Sequence, residues 1–126
     1  MQENAQQSLK TLVIGASTNP DRYAHKAATQ LLKHGIEVVL LGVQTGSIQG
    51  IPILNGQPEL TDIDTVTLYL NPLRQAEYYT YIMALQPRRI LFNPGTENPE
   101  FEHLAHANGI VTERACTLVL LNMGAY

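Results

Sequence analysis

Thr11-Leu-Val-Ile-Gly-Ala-Ser-Thr-Asn-Pro-Asp-Arg-Tyr-Ala-His25 is the stretch that decides the fold. Its first four residues form an apolar run rich in β-branched side chains and stopped by Gly15, which is how a strand buried on both faces reads. Beyond it, Ala24, Ala27, Ala28, Leu31 and Leu32 recur as one stripe of an amphipathic helix that ends at Gly35. The residues between, Gly15 to Arg22, are small or hydrogen-bonding. A loop of that kind between a buried strand and a helix presents backbone N–H groups and the positive helix end, which suits a phosphate. Ser17, Thr18 and Asn19 add side-chain donors. The same residues also suit an ordinary turn and helix cap.

Working outward, Ile36 to Leu41 reads as a second strand, Gly42 to Gly50 is turn-rich, and Ile51 to Leu54 is a short extended piece before Asn55-Gly56 and Pro58. Thr65 to Leu70 returns to strand. Asn71-Pro72 then opens a helix carrying Leu73, Ala76, Tyr79, Ile82 and Met83 on one side. Arg89 to Phe92 is a fourth strand, broken by Asn93-Pro-Gly95. A helix begins at Asn98-Pro99, turns Phe101, Leu104 and Ala105 inward, and closes at Asn108-Gly109. Ile110 to Thr112 is a fifth strand, and Ala115, Leu118 and Val119 mark a C-terminal helix. Such alternation implies right-handed crossovers and an α/β fold, a doubly wound five-stranded parallel sheet with helices on both faces. With strand order 3-2-1-4-5, the order reverses between the first and fourth strands, so a ligand belongs at Gly15–Arg22 and Asn93–Glu97.

Composition narrows the partners. The chain has 126 residues, about one domain's worth, and 8 Lys+Arg against 11 Asp+Glu. A net charge of −3 without a basic face argues against nucleic acid, whose phosphates need neutralising. No apolar run approaches the roughly 18 residues of a membrane span, and Met1 to Lys10 is polar, so a cytoplasmic protein that does not enter a membrane is expected. The single cysteine, Cys116, reads as a buried structural thiol. His103 and His106 lie three residues apart without a third ligand, which favours a solvated helix face over a metal site. Tyr78, Tyr79 and Tyr81 suggest an amphipathic surface or subunit contact, and a homodimer is compatible with that.

Two common nucleotide motifs are absent. Gly15 alone remains of the dinucleotide pattern G-x-G-x-x-G, and the second strand ends in Leu41-Gly42-Val43-Gln44 where an acidic residue would hold a ribose. No Gly-x-x-x-x-Gly-Lys-Ser/Thr occurs, so a P-loop is excluded. A nucleotide-shaped ligand survives both exclusions.

From Thr11 to the C-terminus the sequence resembles the small stand-alone bacterial CoA-binding proteins, themselves similar to the nucleotide-binding domain of the succinyl-CoA synthetase alpha subunit. Val13-Ile-Gly-Ala-Ser17 and Asn19-Pro-Asp-Arg-Tyr-Ala-His25 look like that family's Gly-x-Ser loop and its Pro-Asp-Arg continuation. Gly50-Ile-Pro-Ile53, Asn93-Pro-Gly95 with Glu97-Asn98, Ala107-Asn-Gly109 and Glu113-Arg-Ala-Cys116 add to the likeness. The resemblance implies a Rossmann-like domain over residues 11–126, after a polar lead-in at 1–10, with coenzyme A or an acyl-CoA as its small-molecule ligand. It places Gly15, Ala16, Ser17 and Asn19 near the diphosphate, with Arg22 supplying charge, and Val43 and Asn71-Pro72 beside the adenosine. Thr18, Tyr23, Gly42, Arg74 and the Asn93, Pro94, Gly95 loop are the remaining binding residues expected. Family members often carry an Asn-Pro-Lys-like segment where this chain has Gly42-Val43-Gln44. The family has no established catalytic residues.

The leading expectation is therefore a non-catalytic CoA-binding module, a sensor or accessory unit. An enzyme acting on a nucleotide or thioester would draw on Asn93, Glu97 or His25. A scaffold without ligand would use the tyrosine-bearing helix. Only Arg22, Lys26 and Arg74 of the eight basic residues fall near the carboxyl-end loops, so an anion would be held mainly by backbone N–H groups with one or two arginines in support.

Overall fold

A computed structural model describes residues 8–126; residues 1–7 of the lead-in lie outside the described residues. In chain order the elements are β1 (Thr11–Ile14), α1 (Tyr23–Lys33), β2 (Val38–Leu41), β3 (Ser47–Ile48), β4 (Ile51–Leu54) and β5 (Thr65–Leu68). There follow α2 (Pro72–Gln75), α3 (Tyr79–Leu85), β6 (Arg89–Phe92), α4 (Pro99–Ala107), β7 (Val111–Arg114) and α5 (Thr117–Asn122). The expected second helix is thus split, with a 3₁₀ turn at Ala76–Tyr78 between α2 and α3. At three residues per turn, Gln75 and Tyr78 point the same way, and both are buried.

The sheet has seven strands in the order β3-β4-β2-β1-β5-β6-β7, all parallel except β3 against β4. This corrects the expected five strands and their order. The piece Ile51–Leu54 is a strand: Leu40 pairs with Ile53 and Leu41 with Leu54, and Gln49-Gly50 turns β3 back on it with both φ positive. Pro52 lies outside the β2 pairing, which is why a proline is tolerated there. With β4 occupying the place beside β2, the Thr65 strand crosses to the other side of β1 and pairs with it residue for residue, Thr11 with Thr65 through Ile14 with Leu68. The six parallel strands then run 3-2-1-4-5-6, the order of a Rossmann-like sheet.

Side chains divide by the period of two. Leu12, Ile14, Val66, Leu68, Ile90 and Phe92 face Ile82 of α3 and Phe101 and Ala105 of α4. Val13 and Leu40 face Ala24, Ala28 and Leu31 of α1 and Leu121 of α5. The inward face of α5 is Thr117 and Leu121, whereas Val119 is half exposed, because the helix begins two residues later than the apolar run suggests. The three tyrosines form no open surface: Tyr78 is buried, Tyr79 stacks on Phe101 at 4.3 Å, and Tyr81 donates to the Pro58 carbonyl. Cys116 is half-buried rather than buried.

At the amino ends of the strands, buried Arg89 donates to Thr65 Oγ1 (3.0 Å) and to the Tyr126 backbone oxygen (3.1 Å). Its guanidinium lies 4.4 Å over the Tyr126 ring, whose hydroxyl meets Thr11 Oγ1 at 2.7 Å. That end of the sheet is closed; the carboxyl ends are open. No helix among the described residues is long and apolar enough to cross a membrane.

Candidate functional site

Since β5 is the neighbour of β1, the reversal of strand order falls between β1 and β5, and the loop facing Gly15–Arg22 is the one after β5 rather than Asn93–Glu97. A cleft of about 410 Å³ lies there. Ser17, Arg22, Tyr23, Val43, Tyr69 and Arg74 are among its walls.

Close backbone approach shapes this cleft. Gly15 has φ +98°, and a Cβ on it would stand 3.0 Å from the Tyr69 carbonyl. A Cβ on Gly42 would meet the Ala16 oxygen at 2.6 Å, so the loops after β1 and β2 touch through glycine. Gly15 and Ala16 both donate to the Leu41 carbonyl, at 2.9 and 3.0 Å. Thr18 N donates to Gln44 Oε1 (3.0 Å), Asn19 N to Ser17 Oγ (3.1 Å) and Asp21 N to Asn19 Oδ1 (2.9 Å). Most N–H groups of the loop are therefore occupied internally. Those of Ser17, Tyr23 and Ala24 meet no acceptor among the described residues. Arg22 is the N-cap of α1 and supplies no side-chain cap, whereas Asn71 caps α2 and Asn98 caps α4. The open first turn of α1 thus faces the cleft with the exposed Arg22 and Arg74 beside it; Asp21 also stands at the rim. Lys26 does not line the cleft itself: its ammonium lies 5.2 Å over the ring of the cleft residue Tyr23, and it lines a separate hollow with His25.

Beyond Tyr23 and Tyr69 the cleft adjoins a second chamber of about 520 Å³, lined also by Asn71, Pro94, Gly95 and Cys116. Burial pushes the Tyr69 phenol up to about 12, against the pull of the neighbouring Thr117 and Thr67 hydroxyls, so it stays protonated. Two buried networks make the floor rigid. Asn93 Nδ2 donates to Thr67 Oγ1 (2.7 Å) and Leu68 O (2.9 Å), and its Oδ1 accepts from Thr117 N (2.9 Å). Gln75 Nε2 donates to Leu70 O and Thr96 O, both at 2.8 Å, and its Oε1 accepts from Asn98 Nδ2 at 2.9 Å.

Of the residues expected at a site, Gly15, Ala16, Ser17, Arg22, Tyr23, Gly42, Val43 and Arg74 line the cleft. Tyr23, Asn71, Asn93, Pro94 and Gly95 line the chamber, while Thr18, Asn19 and Pro72 line neither. Asn93, Glu97 and His25 do not converge. Asn93 is committed to its network, Glu97 accepts from Gly95 N at 3.0 Å in solvent, and His25 sits in the separate hollow. Sequence reasoning missed Gln44, Tyr69, Leu70, Tyr78 and Cys116 as lining residues. The signal for Tyr69 and Leu70 was the following Asn-Pro, since the strand ends at Leu68 and frees both to turn into the cleft.

Comparison with known proteins bears on the family and the fold. A family model described as a CoA binding domain matches residues 10–122. The crystal structure of an uncharacterized protein is 45% identical, covers 98% of this chain and 100% of its own, and superposes with a TM-score of 0.92. The cell-free ID.343 protein of Thermus thermophilus (21% identity, 95% of this chain and 92% of that one, TM-score 0.84) shares the fold. So does a PH1109 protein redesigned for binding (21%, 95% and 87%, TM-score 0.82). No curated protein matches the sequence. By the extent of the family match and the likeness of the 45% identical structure, the chain belongs to the CoA binding domain family.

Proposed function

We propose that the protein binds coenzyme A or an acyl-CoA without transforming it, as a sensor or accessory module. The observation that carries this reading is the uncapped first turn of α1, which opens into the cleft beside Arg22 and Arg74 at the reversal of strand order. The diphosphate takes the N–H groups of Ser17, Tyr23 and Ala24, and Gly15, Ala16 and Gly42 let it approach the backbone. Val43, 71% exposed, and Asn71-Pro72 flank the adenosine. The three polar residues that would serve an enzyme are dispersed, which favours binding over turnover. A cytoplasmic location, one ligand-binding unit over residues 11–126 and a homodimeric assembly belong to the same reading. Isothermal titration with CoA, acetyl-CoA, NAD and ATP tests it. CoA species bind in preference to the other two; no heat from any CoA species at high micromolar concentration overturns it.

A further inference from the structure

We propose that Asn55 is a site of spontaneous deamidation, and that its conversion to an acid unlatches the loop after β2 and weakens binding of the coenzyme. The chemical half stands on sequence and geometry alone; the consequence for affinity rests on the CoA reading above. An asparagine loses its amide when the next backbone nitrogen closes on its side-chain carbonyl carbon, so the following residue decides which asparagines react. Asn19, Asn71, Asn93 and Asn98 each precede a proline, whose nitrogen has no proton to give up and cannot close that ring. Asn122 precedes Met123, whose N–H donates to Val119 O at 3.0 Å at the end of α5. Two Asn-Gly steps remain, Asn55-Gly56 and Asn108-Gly109. Gly109 N donates to His106 O at 3.0 Å in the turn that ends α4. Gly56 N meets no acceptor among the described residues, Asn55 and Gly56 are both exposed, and no atom lies within 4 Å of where a Gly56 Cβ would stand. Asn55 is therefore the reactive asparagine.

Its amide has a structural task until it is lost. Asn55 Nδ2 donates to Gly42 O at 2.7 Å and to Gln44 O at 3.2 Å, clamping the chain after β4 to the loop whose Gly42, Val43 and Gln44 wall the cleft. Gln44 in turn accepts from Thr18 N of the first loop at 3.0 Å. In the reaction Gly56 N bonds to Asn55 Cγ, the Cγ–Nδ2 bond breaks, and ammonia leaves with the Gly56 proton; water then opens the imide to aspartate or isoaspartate. Either product exchanges the donor for a carboxylate, which releases the Gly42 and Gln44 carbonyls and adds negative charge beside a cleft for an anion. While the clamp holds, the amide is kept from attack, so a ligand resting on Val43 slows the step.

The intact protein is aged at mildly alkaline pH, with and without CoA at calorimetric saturation, and peptide mass mapping follows each asparagine. Asn55 converts first, Asn108 lags behind it, and CoA slows Asn55 several-fold. Asn108 converting as fast as Asn55 overturns the assignment; a rate at Asn55 indifferent to bound CoA overturns the latch. Asn55→Asp, its fold checked by circular dichroism, binds CoA about tenfold more weakly than wild type. Gly56→Ala, whose methyl group hinders ring closure, keeps its CoA affinity through ageing, while wild type loses affinity in step with conversion of Asn55. Wild-type affinity in Asn55→Asp, or aged Gly56→Ala protein that loses affinity as fast as wild type, also counts against the latch. Fresh wild-type protein that gives no heat with CoA removes the reading of the cleft and the affinity half of this proposal, whereas the order of Asn55 and Asn108 is still decided by mass.

Discussion

Asn93 is the residue on which the floor of the site depends, and replacing it with alanine removes three hydrogen bonds at once. Its side chain is only 2% exposed and joins β5, β6 and the start of α5 through Thr67 Oγ1, Leu68 O and Thr117 N. The Thr117 N–H, at the first position of α5, is left buried without its acceptor, which costs about 1–3 kcal/mol. Thr67 keeps its contact with the Thr117 hydroxyl at 2.9 Å, so each lost donor bond adds only about 1 kcal/mol. Asn93→Ala is thus expected to lose about 3–5 kcal/mol, a large share of the roughly 5–15 kcal/mol available to a domain. Urea unfolding at neutral pH measures it as a lower midpoint at unchanged slope. The isosteric Asn93→Asp sharpens the test. It keeps the acceptor for Thr117 N but must hold a proton to donate toward Leu68 O, so the native state binds that proton more tightly than the unfolded chain. The folded pKa is raised. The variant therefore approaches wild-type stability below about pH 4, the unfolded value, and falls behind as pH rises. A loss under about 1 kcal/mol for Asn93→Ala, or a pH-independent deficit for Asn93→Asp, would refute the reasoning.

Further outcomes follow from the same structure. Gly42→Ala places a Cβ 2.6 Å from the Ala16 oxygen and is expected to cost about 1–3 kcal/mol in thermal unfolding and to weaken CoA, whereas Gly56→Ala, which meets no atom within 4 Å, should leave CoA affinity unchanged. Arg22→Ala and Arg74→Ala each weaken CoA by about two- to fivefold, because both are exposed, and each flattens the salt dependence seen in titrations at rising ionic strength. Burial works against the charge of Asp64, but hydrogen bonds from Arg88 (2.9 and 3.0 Å) and Thr65 (2.7 Å) outweigh it and hold the carboxyl below its usual range. Its contribution is therefore present above the unfolded value of about 3.9 and lost as pH falls through the lowered folded one. Asp64→Asn should be less stable than wild type at pH 6 and converge with it in strong acid; a constant difference across that range would count against the pairing.

Much of the site was legible locally. Gly15, Ser17 and Arg22 were marked by a strand, a small-residue loop and a helix stripe adjacent in the chain, and all three line the cleft. The loop's internal accounting was not legible. Gly15 and Ala16 spend their N–H groups on Leu41, and Thr18 spends its own on Gln44, partners more than twenty residues away. Asn93 was expected at the ligand for its place after a strand, yet its amide is turned into the floor by Thr67 and Thr117. Tyr78 looked like part of a surface because periodicity cannot register a 3₁₀ turn that rotates one residue inward.

The amino-acid sequence by itself determined the alternating α/β class, the strand–loop–helix unit at Thr11–Lys33 and the net charge of −3, because each depends on neighbours in the chain or on composition alone. Only the tertiary structure decided that Ile51–Leu54 joins the sheet beside β2 and that Thr65–Leu68 lies against β1. Strand order is set by hydrogen bonds and burial between segments distant in sequence, and a buried apolar run reads the same whichever neighbour it takes. That choice moved the reversal point from the Asn93 loop to Tyr69–Arg74 and set the Asn93 loop around an adjoining chamber, so the shape of the site came from packing and its chemistry from the first loop.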